Sequence, residues 1–322
     1  MKEPLREVCL AVVGVGHLGR QHARVAATLP GVRLAGVYDH HEGRAEEVGR
    51  EFGLRVLPGL EAVAEEAAGV IIATPTESHA ELAGYFLARG RDVLVEKPMT
   101  VTLSDADALL ARAREGGRIL QVGHVERYNP AVEAALSLVG APRFIEVHRL
   151  SVFTQRSLDV DVVRDLMIHD LQIVRCLVAR PVAEVRAAGM AVLTPRIDIA
   201  NARIRFEGGC VANLTASRIS EVKVRRCRIF DSSSYVSIDM QAQSVRALRF
   251  SAEKTGPAIV PVPVNVRCEE PLARELADFA RAVRERAEPL VSGEVGRDAL
   301  LLAELVLSAI EEHGRSVQQG GG

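Results

Sequence analysis

Residues 8 to 19 read VCLAVVGVGHLG, and this stretch decides the fold of the chain. A short apolar run that ends in glycine is typical of a buried strand, and the polar stretch after it reads as a helix. Gly14, Gly16 and Gly19 stand at the junction in the pattern G-x-G-x-x-G. There the first glycine permits a tight turn, the second lets the backbone approach a pyrophosphate, and the third lets helix and strand pack closely. The stretch therefore predicts a dinucleotide-binding strand, turn and helix.

The alternation of apolar runs and helix-like stretches continues as far as Val122. Further strands are predicted over VRLAGVYD, GVIIATP, DVLVEKP and RILQVGH, and helices near 17–29, 43–52, 78–89 and 104–115. Ser104 followed by Asp107 resembles a capping box that starts the last of these helices. Such alternation is typical of a parallel sheet covered on both faces. We predict an α/β protein whose residues 1–122 form a Rossmann-type, doubly wound domain that binds NAD.

From residue 123 onward the predicted strands follow one another. They cover RFIEVHRLSV, VAEVRAAGMAV, NARIRFEGG, CVANLTASRI, VKVRRCRIFD and YVSIDMQ, with a helix around 162–178 and a hairpin turn at 207–209. A Pro-rich stretch, 257–263, leads to helices near 271–286 and 296–312, and the terminal tail is expected to fray. Residues 123–322 are therefore predicted to form an α+β domain with a large, mainly antiparallel, open-faced sheet for substrate binding and oligomerisation.

Composition narrows the class of protein. The 322 residues are 48% hydrophobic and 25% charged, and 40 Lys and Arg against 42 Asp and Glu give a net charge of -2. This balance favours an ordinary globular protein and gives no overall attraction to nucleic acid or an anionic membrane. The cationic strand 223–228 lacks interleaved aromatics, so it is predicted to be a solvated or subunit-facing surface. No apolar run approaches ~20 residues, which favours a cytoplasmic location without membrane contact.

Five cysteines lie far apart without a C-x-x-C pair. They are interpreted as reduced packing residues, and no metal site is predicted.

Asp39 is the predicted ribose ligand. It ends the second strand, 20 residues after Gly19, where a carboxylate can accept hydrogen bonds from ribose hydroxyls and would repel a 2′-phosphate. This favours NAD, although Asp39 as a plain turn residue stays open. His40 and His41 follow it and leave some tolerance for NADP.

Three segments together, GVGHLG, ATPTESH at 73–79 and Glu96-Lys97-Pro98, resemble the Gfo/Idh/MocA family of oxidoreductases. The resemblance spans most of the chain and implies an NAD-dependent dehydrogenase acting on CH–OH groups. His79 could equally be a helix-start residue that packs under the cofactor. With the glycine motif, the resemblance implies cofactor contacts for Gly14, Gly16, His17, Leu18, Gly19, Asp39, Thr74, Pro75, Thr76, His79, Glu96 and Lys97.

Lys97 is the first predicted catalytic residue. In the resembled family this lysine sits beside the nicotinamide and touches the substrate hydroxyl. Its position agrees with that role, since a side chain at the carboxyl end of a parallel strand lies at the ligand crevice. An ammonium group there would stabilise a developing alkoxide. The alternative is an ordinary surface lysine.

Asp165 and His169 stand four residues apart on a predicted apolar helix and share one face. The resemblance implies that this pair faces the nicotinamide. His169 titrates near neutrality and is favoured as the base, with Lys97 as the stabiliser, but which of the two is the base stays open. The alternative is that Asp165 is an ordinary helix cap and His169 an ordinary core histidine. Asp170 faces elsewhere and is expected only to support the site.

Residues 121–130 and 161–170 resemble the bacterial UDP-N-acetylglucosamine 3-dehydrogenase branch of the family. The resemblance implies oxidation of the sugar 3-hydroxyl with NAD on the way to amide-linked lipid A, by a homodimer or homotetramer. Alternatives are a dehydrogenase of a free sugar or inositol and a non-catalytic NAD-binding sensor. Substrate contacts are predicted for Lys97, Arg127, Tyr128, Asn129, Arg156, Asp165 and His169. For the arginines, Tyr128 and Asn129, a surface or interdomain role stays open.

Overall fold

The computed structural model describes residues 7–154, 160–253 and 256–320. It divides into two compact units. The first comprises Met1–Val125 and Glu270–Arg297, and the second comprises Glu126–Glu269 and Asp298–Gly322.

The first unit is built on a five-stranded parallel sheet, as the apolar runs predicted. Its strands are β1 (Val8–Val13), β2 (Val32–Tyr38), β3 (Gly69–Ile72), β4 (Asp92–Glu96) and β5 (Leu120–Gly123), in the order β2-β1-β3-β4-β5. Every residue of β3 and β4 is buried, because helices cover both faces of the sheet. The strand order reverses between β1 and β3, and ligands of such sheets bind at the carboxyl ends of these two strands.

Five helices of this unit follow the strands in chain order. They are α1 (His17–Ala26), α2 (Glu42–Phe52), α3 (Leu60–Glu66), α4 (His79–Ala88) and α5 (Leu103–Gly116). The short helix α3 was not predicted. The predicted capping box at Ser104 and Asp107 is wrong, because the N-cap of α5 is Thr102, whose side chain accepts the Asp105 N–H at 3.1 Å. The cap lies two residues earlier, where a threonine oxygen can satisfy a free N–H.

The second unit contains an eight-stranded sheet. Its strands are β6 (Phe144–Leu150), β7 (Val182–Met190), β8 (Ile199–Phe206), β9 (Val211–Ser217), β10 (Val224–Phe230), β11 (Ser234–Asp239), β12 (Ser244–Glu253) and β13 (Gly256–Val262), in the order β13-β12-β11-β10-β6-β9-β8-β7. Only the β6–β9 pair is parallel among these described strands. The predicted hairpin turn is confirmed, with φ of 85° at Gly208 and 90° at Gly209.

Strands β12 and β13 were not predicted. Pro257 and Pro261 lie within β13 and made that stretch read as a Pro-rich connection. Proline is tolerated there because β13 is an edge strand, where an N–H facing away from the sheet is not needed.

The helical part of the second unit begins with α6 (Pro130–Leu136). The predicted helix at 162–178 is observed in two parts, a π-helical turn (Val163–Met167) followed by α7 (Ile168–Leu177). Ile168 donates its N–H to the Val163 carbonyl, the five-residue bond that defines a π turn. Met167, Ile168 and Leu171 are buried in a core with inward residues of the large sheet.

Two helices close the chain, α8 (Pro271–Glu285) and α9 (Gly293–Gly320). Leu276 and Phe279 of α8 are buried in a core with Leu10, so α8 belongs to the first unit. The predicted boundary at 122 assigned all later residues to one domain and is corrected for residues 270–297. Chain order could not reveal this return. The tail expected to fray is helical as far as Gly320.

The exposure of the cysteines corrects the expectation that all five are packing residues. Cys210 and Cys227 are buried packing residues, whereas Cys176 and Cys268 are exposed. Among the described helices, none is both long enough and apolar enough to cross a membrane.

Candidate active site

The glycine motif forms a turn that only glycine can make at two of its three positions. Gly14 has φ of 82°, and a Cβ there would lie 2.5 Å from Cγ2 of Thr74. A Cβ on Gly19 would lie 1.7 Å from the Gly14 carbonyl oxygen. Around Gly16, in contrast, the described part of the chain places no atom within 4 Å of a Cβ. The backbone at Gly16 is thus open on the side from which a pyrophosphate would approach.

Helix α1 starts at this turn with Gly16 as its N-cap. No side-chain cap bonds its first N–H groups, and its first turn holds no acidic residue. His17 and Leu18 are exposed. The first N–H groups of a helix and its positive dipole end favour phosphate. The turn, the opening at Gly16 and the helix end therefore fit the diphosphate of a dinucleotide.

Asp39 ends β2 with a buried side chain. One of its oxygens accepts the Val15 N–H at 2.9 Å and the other accepts the His41 N–H at 2.9 Å. Nη1 of Arg44 lies 3.5 Å from both oxygens. Asp39 therefore braces the glycine turn as a turn residue would, and its contact with a ribose stays a prediction.

The loop after β3 carries the predicted contacts Thr74, Pro75, Thr76 and His79. His79 is buried, with Nδ1 2.9 Å from the Pro98 carbonyl and Nε2 2.9 Å from the Thr74 carbonyl. Burial lowers its pKa, against those two hydrogen bonds. Its ring ties the loop after β3 to the segment after β4. Pro75 is exposed and Thr76 half-buried. Contacts of these residues with the cofactor stay predictions.

Lys97 directly follows β4 and is half-buried. Burial acts to raise the pKa of the neighbouring Glu96, but the hydrogen bond from His22, the charge of His22 and then the charge of Lys97 lower it overall. His124, just after β5, is buried, and burial together with the Lys97 charge lowers its pKa to about 3. His124 is thus neutral at physiological pH, so Lys97 is flanked by an anion and a neutral imidazole. Such surroundings suit an ammonium group that assists a developing negative charge.

Asp165 lies in the π turn and His169 in the first turn of α7. Both side chains are half-buried, whereas Met167 and Ile168 between them are buried. Leu166, which also lies between them, is half-buried as well, so a shared face for Asp165 and His169 stays a prediction. π turns occur often at functional sites. Within this π turn the Arg164 N–H donates to Oδ1 of Asp161 at 2.8 Å, so the side chain of Asp161 caps the turn.

Asp170 belongs to a buried ion network in the second unit. Arg149 donates from Nε and Nη2 to the two oxygens of Asp170, at 2.8 and 2.7 Å. Its Nη1 donates to Glu126 at 2.9 Å, and Arg225 donates to the same Glu126 oxygen at 3.0 Å. Arg149 and Asp170 are each 2% exposed. The expectation that Asp170 only supports the site agrees with this network, which anchors α7 to β6.

The pKa values of the two carboxyl groups in this network are shifted. Burial raises the pKa of Asp170 and outweighs the opposing charge of Arg149. Burial also acts to raise the pKa of Glu126, but the charges of Arg149 and Arg225 lower it overall. Two arginines face each other across the β6–β10 ladder, and such a pair is stable only with carboxylates between them.

Three of the predicted substrate residues lie at the start of the second unit. Asn129 is buried and fully engaged: Oδ1 accepts the Ala131 N–H at 3.1 Å, and Nδ2 donates to the Met240 carbonyl at 2.9 Å. Asn129 is therefore the N-cap of α6, and a contact of its side chain with substrate stays a prediction. Tyr128 is buried and Arg127 half-buried. Arg156 lies outside the described residues.

Several buried titratable residues were not predicted from the sequence. In β6 the inward positions alternate strictly, so Arg149 occupies the same face as Ile145 and Val147. A charge at an inward strand position was a signal available in the sequence. The others depend on contacts between distant segments and had no such signal; they are His22, His124, Glu126 and Glu275.

Comparisons with known proteins cover both units. A family model described as an oxidoreductase family with an NAD-binding Rossmann fold, GFO_IDH_MocA, matches residues 8–124. The GFO/IDH/MocA C-terminal domain matches residues 131–233.

Relatives match almost the whole chain. UDP-N-acetylglucosamine 3-dehydrogenase from Acidithiobacillus ferrooxidans is 38% identical over 93% of this chain and 96% of its own. The scyllo-inositol 2-dehydrogenase (NAD(+)) of Bacillus subtilis is 30% identical over 89% of each chain. A solved structure of UDP-N-acetylglucosamine 3-dehydrogenase from Acidithiobacillus ferrooxidans has a TM-score of 0.89 and 37% identity, covering 95% of this chain and 98% of that one.

Proposed function

Because the chain belongs to the Gfo/Idh/MocA family of NAD-dependent oxidoreductases, we propose that it oxidises the 3-hydroxyl of UDP-N-acetylglucosamine to the 3-keto sugar. The observation that carries this proposal is the 38% identity, over 93% of the chain, with a UDP-N-acetylglucosamine 3-dehydrogenase. The second relative acts on an inositol and is 30% identical. The difference in identity favours the nucleotide sugar.

The residues that would hold NAD are those of the glycine turn, with Asp39 for the adenosine ribose. The opening at Gly16 and the uncapped start of α1 support this assignment. When bound, NAD supplies a nicotinamide ring that accepts hydride from the substrate carbon.

Lys97 is proposed to hold the substrate hydroxyl and to stabilise negative charge as that oxygen loses its proton. His169 is proposed to accept the proton, since an imidazole exchanges protons near neutral pH. Asp165, four residues before it, is proposed to orient His169 or the substrate. The Arg149–Asp170 ion pair then holds α7 and so fixes the position of His169.

The test is turnover of a small panel of substrates, followed by NADH absorbance. We expect NADH with UDP-N-acetylglucosamine and none with N-acetylglucosamine, scyllo-inositol or myo-inositol. Turnover confined to an inositol or an unphosphorylated sugar would overturn the proposal in favour of the second relative's reaction. NAD binding without turnover of any of them would favour a non-catalytic sensor.

A matched pair of lysine variants tests the catalytic assignment. Lys97→Met should lower kcat by roughly 10² or more, because the stabilising charge is lost. Lys223→Met changes an exposed lysine and is the control. Equal activity of the two variants would remove Lys97 from the chemistry.

A further inference from the structure

Three titratable side chains meet in the interior of the first unit. His22 comes from α1, Glu96 from the end of β4 and Glu275 from α8. One nitrogen and two carboxylate oxygens lie within 4.8 Å of one another. His22 is 1% exposed, Glu96 7% and Glu275 0%. None of the three is a surface group, so their protonation states are fixed by one another and by the core.

Glu96 has the hydrogen bonds of an anion. Nε2 of His22 lies 2.7 Å from Oε1 of Glu96, and the Lys97 backbone N–H donates to Oε2 at 3.2 Å. A carboxylate can only accept, so His22 donates this bond. Gly123 makes the room, because a Cβ there would lie 2.9 Å from the Glu96 carboxyl.

Glu275 has the surroundings of a neutral acid. Neither of its carboxyl oxygens has a hydrogen-bond partner within the described residues 7–154, 160–253 and 256–320. A buried carboxylate without donors is strongly disfavoured, and two carboxylates this close do not both ionise. Burial, then the charge of Glu96 and then that of Asp278 raise the pKa of Glu275 well above its usual value. The other charged or titratable groups facing the cluster are Lys97 and His124.

We propose that Glu275 is held as a neutral carboxylic acid facing the ionised Glu96, so that the cluster carries one carboxylate charge, placed next to Lys97. Glu275 is then a positioning residue that keeps a second negative charge out of the core, while Glu96 sets the field at Lys97. The part that concerns catalysis rests on the proposed role of Lys97.

Infrared spectroscopy of the wild-type protein tests the protonation state without any turnover. A protonated carboxyl has a C=O stretch distinct from the ionised carboxylate band, and the band shifts in D₂O. We expect this band at neutral pH, and we expect it to vanish in Glu275→Gln. The matched control is Glu285→Gln, an exposed glutamate on the same helix, which should keep the band. Absence of the band in the wild type would overturn the proposal.

Proton linkage gives a second measurement. Because the pKa of Glu275 is raised in the folded state, the folded protein holds a proton that the unfolded chain releases above the ordinary pKa of 4.5. Stability therefore falls as the pH rises above that value. From pH 5 upward, the unfolding equilibrium constant of the wild type should rise relative to Glu275→Gln by on the order of tenfold per pH unit. A constant ratio across that range would contradict the proposal.

Two further experiments separate the remaining explanations. One equivalent of a divalent metal in the purified wild type, lost in Glu275→Gln, would mean that the three side chains bind an ion instead, and would overturn the proposal. In Glu96→Gln we expect kcat to fall, since the anion beside Lys97 is lost. An unchanged kcat would overturn the role beside Lys97, while the infrared result stands separately.

Discussion

Alanine at Gly16 and alanine at Gly19 should have opposite consequences. A Cβ on Gly19 would lie 1.7 Å from the Gly14 carbonyl oxygen, where contacts under 3.0 Å are essentially never seen. The turn must therefore open by at least 1.3 Å, the difference between the two distances. Forcing atoms into a packed site costs about 1–3 kcal/mol, and more when backbone must move. Gly19→Ala should thus lose about 3 kcal/mol of stability.

Gly16→Ala should leave the fold intact. No described atom lies within 4 Å of the new methyl group, and φ of Gly16 is −63°, which alanine adopts freely. Its stability should stay within about 0.5 kcal/mol of wild type. The methyl group would, however, hold a pyrophosphate away from the backbone N–H groups. We expect NAD to bind about 10- to 100-fold more weakly, equivalent to about 1.4–2.7 kcal/mol.

The assays are denaturant unfolding and calorimetric titration with NAD. Gly140→Ala is the control, since Gly140 is exposed with no described atom near its Cβ position. Wild-type affinity in Gly16→Ala would refute the account of the cofactor turn. Wild-type stability in Gly19→Ala would refute the packing argument.

Four other predictions follow from the remaining contacts. Arg149→Met should lower the free energy of unfolding by about 3–5 kcal/mol, because it leaves two buried carboxylates without their partner. Arg225→Met should lower it by about 0–1 kcal/mol, because Arg225 is 33% exposed. Equal losses of stability in urea unfolding would contradict the role of the network. Burial acts to raise the pKa of Asp198, but hydrogen bonds from a hydroxyl and three backbone N–H groups lower it to about 2. The ionised Asp198 therefore stabilises the fold above its ordinary pKa of 3.8, and this contribution is lost as the pH falls towards about 2. The difference in unfolding free energy between wild type and Asp198→Asn should shrink by about 2 kcal/mol over that interval. A difference that does not change with pH would contradict this prediction. His169→Ala should lower kcat by roughly 10² to 10⁴ with NAD affinity nearly unchanged, and an unaltered kcat would exclude His169 as the base. Asp39→Ala should shift kcat/KM towards NADP by about tenfold or more through loss of a repelling charge, and an unchanged preference would refute its role in cofactor choice.

The first unit could be predicted well because its signals are local. Each parallel strand is a short apolar run, and the glycine turn is encoded in six consecutive residues. The failures have physical causes. Helix α3 is only seven residues long, too short for a clear periodicity. Strand β13 contains prolines that an edge position tolerates.

The missing parts of the candidate site depend on contacts between distant segments. Glu275 joins His22 only because α8 returns to the first unit, and neither residue carries a local motif. Asn129 was predicted to bind substrate from its motif, whereas its side chain is engaged in capping α6. Sequence patterns identify residue types that suit a chemistry, but burial and hydrogen bonding decide which of them are available for it.

The most direct test of the central claim follows one hydrogen atom. UDP-N-acetylglucosamine deuterated at C3 should be incubated with the protein and NAD, and the reduced cofactor analysed by mass spectrometry. We predict that NADH carries one deuterium and that the sugar nucleotide becomes a 3-keto product. Unlabelled NADH would place the oxidation at another carbon, and no NADH from this substrate would contradict the account.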